Sequence, residues 1–351
     1  MRVLHVLNRA GYGGAETHAI TLMKSQQAAG HDVFYAGCCN GWLASACRES
    51  GITVLPFRKL RLNDICSFIK FRRYLVRYGI DVIHQHSPVK REKYGRFIEG
   101  FRRCPVVIRT AHEEDAGRNI GRCRHIIAVS QAVCPDLFVH GYAADKISVI
   151  YHGVPDNSPA NIRNLLRHEL DIPDDIFAIV HVGRFSFEKG QDLLLQASKQ
   201  CPSQMHFYLI GDYQTPFGQQ ILTEACGQSR IHFLGYRSDA QRVLPAFDAY
   251  ALPSRKEALG LSIIEASAAS LPIVASQTGG IPEVIVAEQT GLIVPPEDPV
   301  ALAKALMRFQ TDTALSKRLG EKARERYLSR FTVDKMAQST MNVYRQCLAQ
   351  V

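Results

Sequence analysis

No stretch of this sequence approaches the roughly 20 consecutive apolar residues that cross a bilayer, so no membrane span is expected. The first residues, Met-Arg-Val-Leu-His-Val-Leu-Asn-Arg, are apolar over too short a distance for a secretory leader, and they run directly into a glycine-rich turn. They read as a first buried strand. The ten cysteines contain no Cys-x-x-Cys pair and no zinc-like spacing around histidine. Scattered cysteines of this kind serve as small core residues in a reduced protein, and a cytoplasmic location is expected. Short-period repeats and low-complexity segments are also missing.

Acidic residues are scarce in one half only. Residues 1–150 hold 22 Lys/Arg against 12 Asp/Glu, a net of +10, while the remainder is close to neutral within a formal total of +9. The excess is concentrated in residues 58–103, with 13 basic and 4 acidic side chains. Such a stretch suits an anionic partner: acidic lipid headgroups, a phosphorylated acceptor or nucleic acid. A solvated helix face would produce the same pattern.

Apolar runs alternate with helical segments throughout, the signature of parallel sheets covered on both faces. The first series is Val3–Leu7, Asp32–Ala36, Ile52–Pro56, Val82–His84, Val106–Arg109, Ile126–Val129 and Ile147–Tyr151. Between the first two lies a helix, Glu16–Ala29, stopped by Gly30. Pro155-Asp-Asn-Ser-Pro159 has linker composition and precedes a short helix around Asn161–Glu169. A second series follows: Phe177–Val182, Met205–Ile210, Ile231–Leu234, Ala249–Leu252, Ile273–Ala275 and Leu292–Val294. Helices near Gln191–Lys199, Gly260–Ala269 and Val300–Phe309 intervene. The parse is an α/β protein of two doubly wound units. Ligands of such sheets bind beyond the carboxyl ends of the strands, so two facing sheets place the site in a cleft.

Three motifs fall at strand ends. Gly11-Tyr-Gly13-Gly14-Ala15-Glu16 follows the first strand and opens a helix, where exposed backbone N–H groups favour phosphate. Glu16 occupies the place of the third glycine of a dinucleotide fingerprint, and no acidic residue ends the second strand to hold a ribose. A hydride-transferring dehydrogenase is therefore disfavoured. Gly183-Arg184-Phe-Ser-Phe-Glu-Lys189-Gly190 follows Phe177–Val182 and puts two cations at a strand end. Arginine offers a planar fork and lysine a mobile point charge, a pair suited to diphosphate. A surface pair bridged to Glu188 is the alternative. Glu257 and Glu265 lie eight residues apart, the first in a loop and the second one to two turns into the helix that starts near Gly260. Carboxylates at such places accept bonds from pairs of sugar hydroxyls.

The order Gly-Gly-Ala-Glu, Gly-Arg-x4-Lys-Gly and Glu-x7-Glu closes on Leu271-Pro-Ile-Val-Ala-Ser276-Gln-Thr-Gly279-Gly280-Ile-Pro282-Glu283. In this order the chain resembles the retaining glycosyltransferases of family 4, from Val3 to the last helix. Ile126-Ile-Ala-Val-Ser130, Gly211-Asp212 and Phe233-Leu-Gly235 add to the resemblance. It implies the GT-B fold: an N-terminal Rossmann-like acceptor domain at 1–160, a C-terminal donor-nucleotide domain at 170–332, and a final helix, 333–351, packing back on the first. It implies that Arg184 and Lys189 hold the donor diphosphate as UDP or GDP departs, that Glu257 bonds the donor sugar, and that Glu265 bonds the ribose. Gly13, Gly14, Gly183, Gly211, Leu259, Gly260 and Leu261 would complete the donor site. His112 would stand near the reaction centre, with His86 and Glu16 toward the acceptor. Ala258-Leu259, Ser270, His152-Gly153 and Tyr213 depart from the residues usual in the family, which leaves the donor's identity open.

The resemblance implies a nucleotide-sugar co-substrate, no cofactor and no metal, since the two cations offset the leaving charge. His112-Glu-Glu-Asp115 could suggest an ion, but three consecutive acids on a loop seldom converge on one. The basic stretch, with Phe68, Phe71, Tyr74, Tyr78 and Tyr94 interleaved, is expected to sit on the anionic inner membrane face. A glycan or glycolipid acceptor, as in lipopolysaccharide or exopolysaccharide assembly, fits that location. A sugar-nucleotide epimerase and a non-catalytic nucleotide-sugar-binding protein share the fold and stay as alternatives. No nucleic-acid partner is expected, because the stretch carries no binding module.

Overall fold

A computed structural model of the chain describes residues 1–8, 11–56, 65–86, 105–119, 123–156 and 162–350. The chain divides into two compact units, Met1–Pro155 with Thr332–Val351, and Asp156–Phe331.

The first unit is built on a parallel sheet of β1 (Arg2–Leu7), β2 (Asp32–Gly37), β3 (Thr53–Pro56), β4 (Val82–Gln85), β5 (Val106–Ala111), β6 (His125–Ala128) and β7 (Ile147–Val149). Its spatial order is β3-β2-β1-β4-β5-β6-β7. The strand order reverses on either side of β1, so the crevice beyond β1 and β4 is the switch point where ligands of open sheets bind. The strands are apolar runs because both faces are covered. On one side Val3, Val82, Val106 and Ile108 meet Met336, Met341 and Tyr344 of the helix Val333–Leu348. On the other, Leu4, Ile83 and Val107 meet Phe71 and Leu75 of α3 (Ile65–Arg77). Between β1 and β2 runs α1 (Gly14–Ala28), which stops before Gly30 at φ 79°.

The second unit holds β8 (Phe177–Val182), β9 (Met205–Ile210), β10 (Ile231–Gly235), β11 (Ala249–Leu252), β12 (Ile273–Ser276) and β13 (Leu292–Val294). All pairs are parallel, in the order β10-β9-β8-β11-β12-β13. The switch point here lies beyond β8 and β11. Ile179, Phe207, Leu209, Ala251 and Val274 pack with Leu194, Leu195, Leu302, Leu306 and Phe309 from the flanking helices.

The segment after Pro155 differs from a free linker. Its helix, Arg163–Glu169, is clamped to the second unit: Arg163 and Arg167 donate to Asp248 at 2.6 and 3.2 Å, and Arg163 also donates to the Phe247 carbonyl at 2.6 Å. The Ala178 amide donates to the same Asp248 carboxylate at 2.8 Å, which ties the helix to the first residues of β8. Residues 157–161 lie outside the described set.

Of the basic stretch, α3 is described and most of the remainder is not: Arg58–Arg61, Lys90–Arg103, Tyr94 and the Phe68 side chain lie outside the described residues. On α3, Phe71 and Leu75 are buried, while Ile69, Lys70, Arg72, Arg73, Val76 and Arg77 are exposed. Among the described residues, no helix is long and apolar enough to cross a membrane.

Candidate active site

The strand ends at the second switch point carry the charged motifs. Gly183 leaves β8 with its amide bonded to the Ile210 carbonyl at 3.0 Å, and the next residues make a tight turn, Phe187–Lys189. Gly190 ends this turn at φ 70°, where a Cβ would lie 2.0 Å from the Pro253 carbonyl oxygen. Only glycine allows the turn to press against the end of β11 this closely. Lys189 thereby reaches Glu257, and the two form a partly buried ion pair. Arg184 is exposed and, among the described residues, its guanidinium makes no ion pair. One bound cation and one free one therefore stand on the same short turn.

Glu257 sits in the loop after β11. Its carbonyl accepts from the Gly280 amide at 2.9 Å, and Gly280 is pressed so tightly on Ala258 that a Cβ would lie 2.3 Å from the Ala258 carbonyl oxygen. Leu259 is buried, Gly260 opens the helix Leu261–Ala268 at φ 94°, and Glu265 follows within it. Burial pushes the Glu265 carboxyl up to about 7. Burial disfavours its charged form, and hydrogen bonds donated to it by a ligand would favour that form again. Gly211 ends β9, with the Gly183 carbonyl so near that a Cβ would meet it at 2.1 Å.

Several residues that sequence reasoning passed over hold this arrangement. Arg255 donates to the Phe187 carbonyl at 2.8 Å, pairs with Asp192 and Glu297 at 2.7 Å each, and lies over the Phe187 ring at 3.8 Å. Its amide donates to the Glu188 carbonyl at 2.7 Å, and its carbonyl accepts from Thr278 at 3.0 Å. This side chain therefore rivets the Lys189 turn to the Glu257 loop. Gln191 donates to the Arg184 carbonyl at 2.8 Å, beside His181, whose Nδ1 donates to the Ala251 carbonyl at 3.0 Å. Burial lowers the His181 imidazole to about 4. Arg255 lies two residues before Glu257 in the sequence, but its side-chain partners are distant in it.

At the switch point of the first unit, Gly13 and Gly14 lead into α1, and Tyr12 stacks edge-on against Trp42 at 4.7 Å. Six histidines converge there: His5 on β1, His18 on α1, His84 and His86 at the end of β4, His112 after β5, and His152 after β7. Burial holds the imidazoles of His5 and His152 down near 4, and those of His18, His84 and His86 well below their usual range. At neutral pH these five are neutral.

A hydrogen-bonded chain orders them. With the Gln26 amide assigned so that Nε2 donates to Tyr344 (3.3 Å), Oε1 accepts from His5 Nε2 at 2.7 Å. His5 Nδ1 then accepts from His86 Nε2 at 2.9 Å, and His86 Nδ1 points at His112 Nε2, 3.4 Å away. In parallel, Tyr344 donates to His84 Nδ1 at 2.5 Å, and His84 Nε2 donates to Thr110 at 2.6 Å. His86 and Glu16, expected toward the acceptor, are 1% and 2% exposed, and His112 is the half-exposed member of the group.

The model describing glycosyl transferases group 1 matches residues 162–326, and the model for glycosyltransferase family 4 matches residues 12–158. A D-inositol 3-phosphate glycosyltransferase of Corynebacterium glutamicum is 31% identical over 294 residues, covering 72% of this chain and 69% of the relative. The enzyme of that name from Xylanimonas cellulosilytica is 31% identical over 256 residues, or 66% of this chain and 61% of the relative. The match thus spans less than two thirds of that relative's length. Among solved structures, a glycosyltransferase of Rickettsia africae superposes with TM-score 0.87 at 21% identity, covering 99% of this chain and 98% of that one. The Anabaena HepE protein in complex with UDP-glucose superposes with TM-score 0.85 at 22% identity, over the full length of both chains. Two doubly wound sheets with these neighbours define the GT-B class of fold. The chain belongs to glycosyltransferase family 4.

Proposed function

We propose that the protein is a retaining, hexosyl-type glycosyltransferase using a UDP- or GDP-sugar as donor and a hydroxyl of a lipid-linked or polysaccharide acceptor. The observation that carries this reading is the Lys189–Glu257 pair with the free Arg184 beside it, all at the β8/β11 switch point. A diphosphate docking there is met by two cations on one turn. Arg184 approaches the phosphoryl oxygens as a fork, and Lys189 shares its charge between Glu257 and the phosphate as the sugar–phosphate bond breaks. In this arrangement the cations do the work of a divalent ion, and we propose that this step is metal-independent. Glu257 is then released to accept hydroxyl protons of the donor sugar, while Glu265 accepts from the ribose. Gly13 and Gly14 offer backbone N–H groups at the N-terminus of α1. His112 is the side chain of the histidine group placed to meet substrate, with His86 orienting it from behind.

The names of relatives support the substrate classes. One relative is a lipopolysaccharide core biosynthesis glycosyltransferase of Rhizobium meliloti, 31% identical over 185 residues, 52% of this chain and 54% of the relative. We propose a place in lipopolysaccharide or exopolysaccharide assembly on the inner membrane face. Exposed Lys70, Arg72, Arg73 and Arg77 on α3, flanked by exposed Ile69 and Val76, support peripheral attachment to anionic lipid. Calorimetric titration of UDP, GDP and ADP into the wild type and Glu265→Ala tests the donor site. One nucleotide should bind, with affinity lost in the variant. Absence of binding by all three overturns the reading.

A further inference from the structure

In the histidine group of the first unit, the buried rings of His18 and His152 have no hydrogen-bond partner among the described residues. We propose that His18, His86 and His112 form a binding site for a transition-metal ion of the zinc class, which takes neutral imidazole nitrogen. This inference does not rest on the sugar-transfer reading, and the site lies wholly within the first unit.

Four observations carry it. First, one nitrogen from each of His18, His86 and His112 lies within 4.8 Å of the others. Second, the His86 Nδ1 to His112 Nε2 separation is 3.4 Å. That is long for a hydrogen bond, and it matches the ~3.4 Å edge of a tetrahedron with metal–nitrogen bonds of ~2.0–2.1 Å. Third, His18 is 3% exposed and, among the described residues, neither of its ring nitrogens has a hydrogen-bond partner. The same holds for His152, 6% exposed, whose ring centroid lies 4.4 Å from that of His18. Leaving a buried polar atom unsatisfied is costly, so two such rings packed together call for an occupant.

Fourth, the support behind these ligands has the form that metal sites use. His86 gives its Nε2 proton to His5, and His5 gives its own to Gln26, which leaves the lone pair of His86 Nδ1 facing the site. A ligand whose other nitrogen is bonded in this way has its tautomer and ring orientation set in advance. The second close group, His5, His84 and His86, is not the site. Both ring nitrogens of His5 and of His84 are already engaged, with Gln26, His86, Tyr344 and Thr110. They form the outer support, and the ion belongs on the His18 side. His112 is the half-exposed ligand, so a fourth position opens beside it for water or an anionic oxygen.

The test uses the full chain without an affinity histidine tag, stripped against a chelator and titrated with Zn²⁺ and then Co²⁺. The wild type should take up one ion per chain in competition with a chromogenic chelator, and the Co²⁺ form should show the intense visible bands of tetrahedral nitrogen ligation. His18→Gln and His86→Gln should each weaken binding at least ~10-fold. His206→Gln, which disrupts the His206–His232 contact in the other unit, should leave binding unchanged. X-ray absorption on wild-type protein decides even if a variant fails to fold: a shell of three imidazoles is expected. Substoichiometric uptake, octahedral Co²⁺ spectra, or equal loss in His206→Gln would overturn the proposal and leave a neutral, water-filled histidine group.

Discussion

The two switch points solve one problem in opposite ways. Each must keep polar groups at the end of a buried parallel sheet. The first unit does so with neutral imidazoles, hydrogen-bonded in a chain from His86 through His5 to Gln26. The second uses full charges: Lys189 on Glu257, and Arg255 on Asp192 and Glu297. Dehydrating a charge costs several times more than dehydrating a neutral group, and the burial follows. His5, His18, His84, His86 and His152 are almost wholly enclosed, whereas Lys189 and Glu257 keep 20% and 12% of their side-chain surfaces exposed. A site that handles a charged leaving group keeps its ions near water until substrate displaces it. A site that orients groups can be built from neutral side chains, as the network behind His18, His86 and His112 is.

The sharpest way to break this contrast is Lys189→Ala. It removes a cation from the proposed diphosphate site and strands Glu257, and kcat/KM should fall ~100- to 1000-fold. Unchanged steady-state kinetics would remove Lys189 from the charged site. Glu265→Gln comes next. A carboxyl raised to about 7 when folded favours the fold below its unfolded value near 4.5, and this contribution is lost as pH rises through 7. The variant should therefore gain ~1–3 kcal/mol over wild type at pH 8 and nothing at pH 4, measured by urea denaturation at both. A pH-independent difference would show the carboxyl to be ordinary.

Arg255→Ala should cost ~1–2 kcal/mol and lower the melting temperature by ~2–8 °C, with kcat reduced as the Lys189 turn loosens from the Glu257 loop. Full activity in this variant would show that the turn holds itself. The smallest effect belongs to the neutral side. Tyr344→Phe removes a hydroxyl bonded to both His84 and Gln26, and should cost ~1 kcal/mol. A loss above that of Arg255→Ala would mean the neutral chain is the more tightly coupled of the two.

The charged site was largely legible in the sequence because its members lie within single loops. Arg184 and Lys189 share one turn, and Glu257 and Glu265 share a loop and the helix after it. The strands were legible for a similar reason: runs such as Val106–Ala111 and Phe177–Val182 are apolar throughout, as strands covered on both faces must be. The histidine group left almost no local trace. His5 and His86 touch across 81 residues, and Gln26 and Tyr344 across 318. Only the strand order, with β4 beside β1 and β5 beside β4, brings them together. The partners of Arg255, 63 and 42 residues away, were hidden in the same way. So was the anchoring of Arg163–Glu169, where linker-like composition precedes a helix that a single aspartate, Asp248, fixes in place.

Tyr344 closes the neutral network of the first unit from a helix made after the whole of the second unit. The second unit is contiguous in sequence; the first is assembled from two separated pieces. During synthesis the β-strands of residues 2–149 therefore wait some 180 residues for the helix that covers Val3, Val82 and Ile108, a segment made in ~10–35 s at ribosomal speed. Over that interval the sheet has one bare apolar face. The order of completion on the ribosome is thus inverted with respect to the order of the sequence: the second unit can finish first, and the first unit closes only when the C-terminal helix arrives.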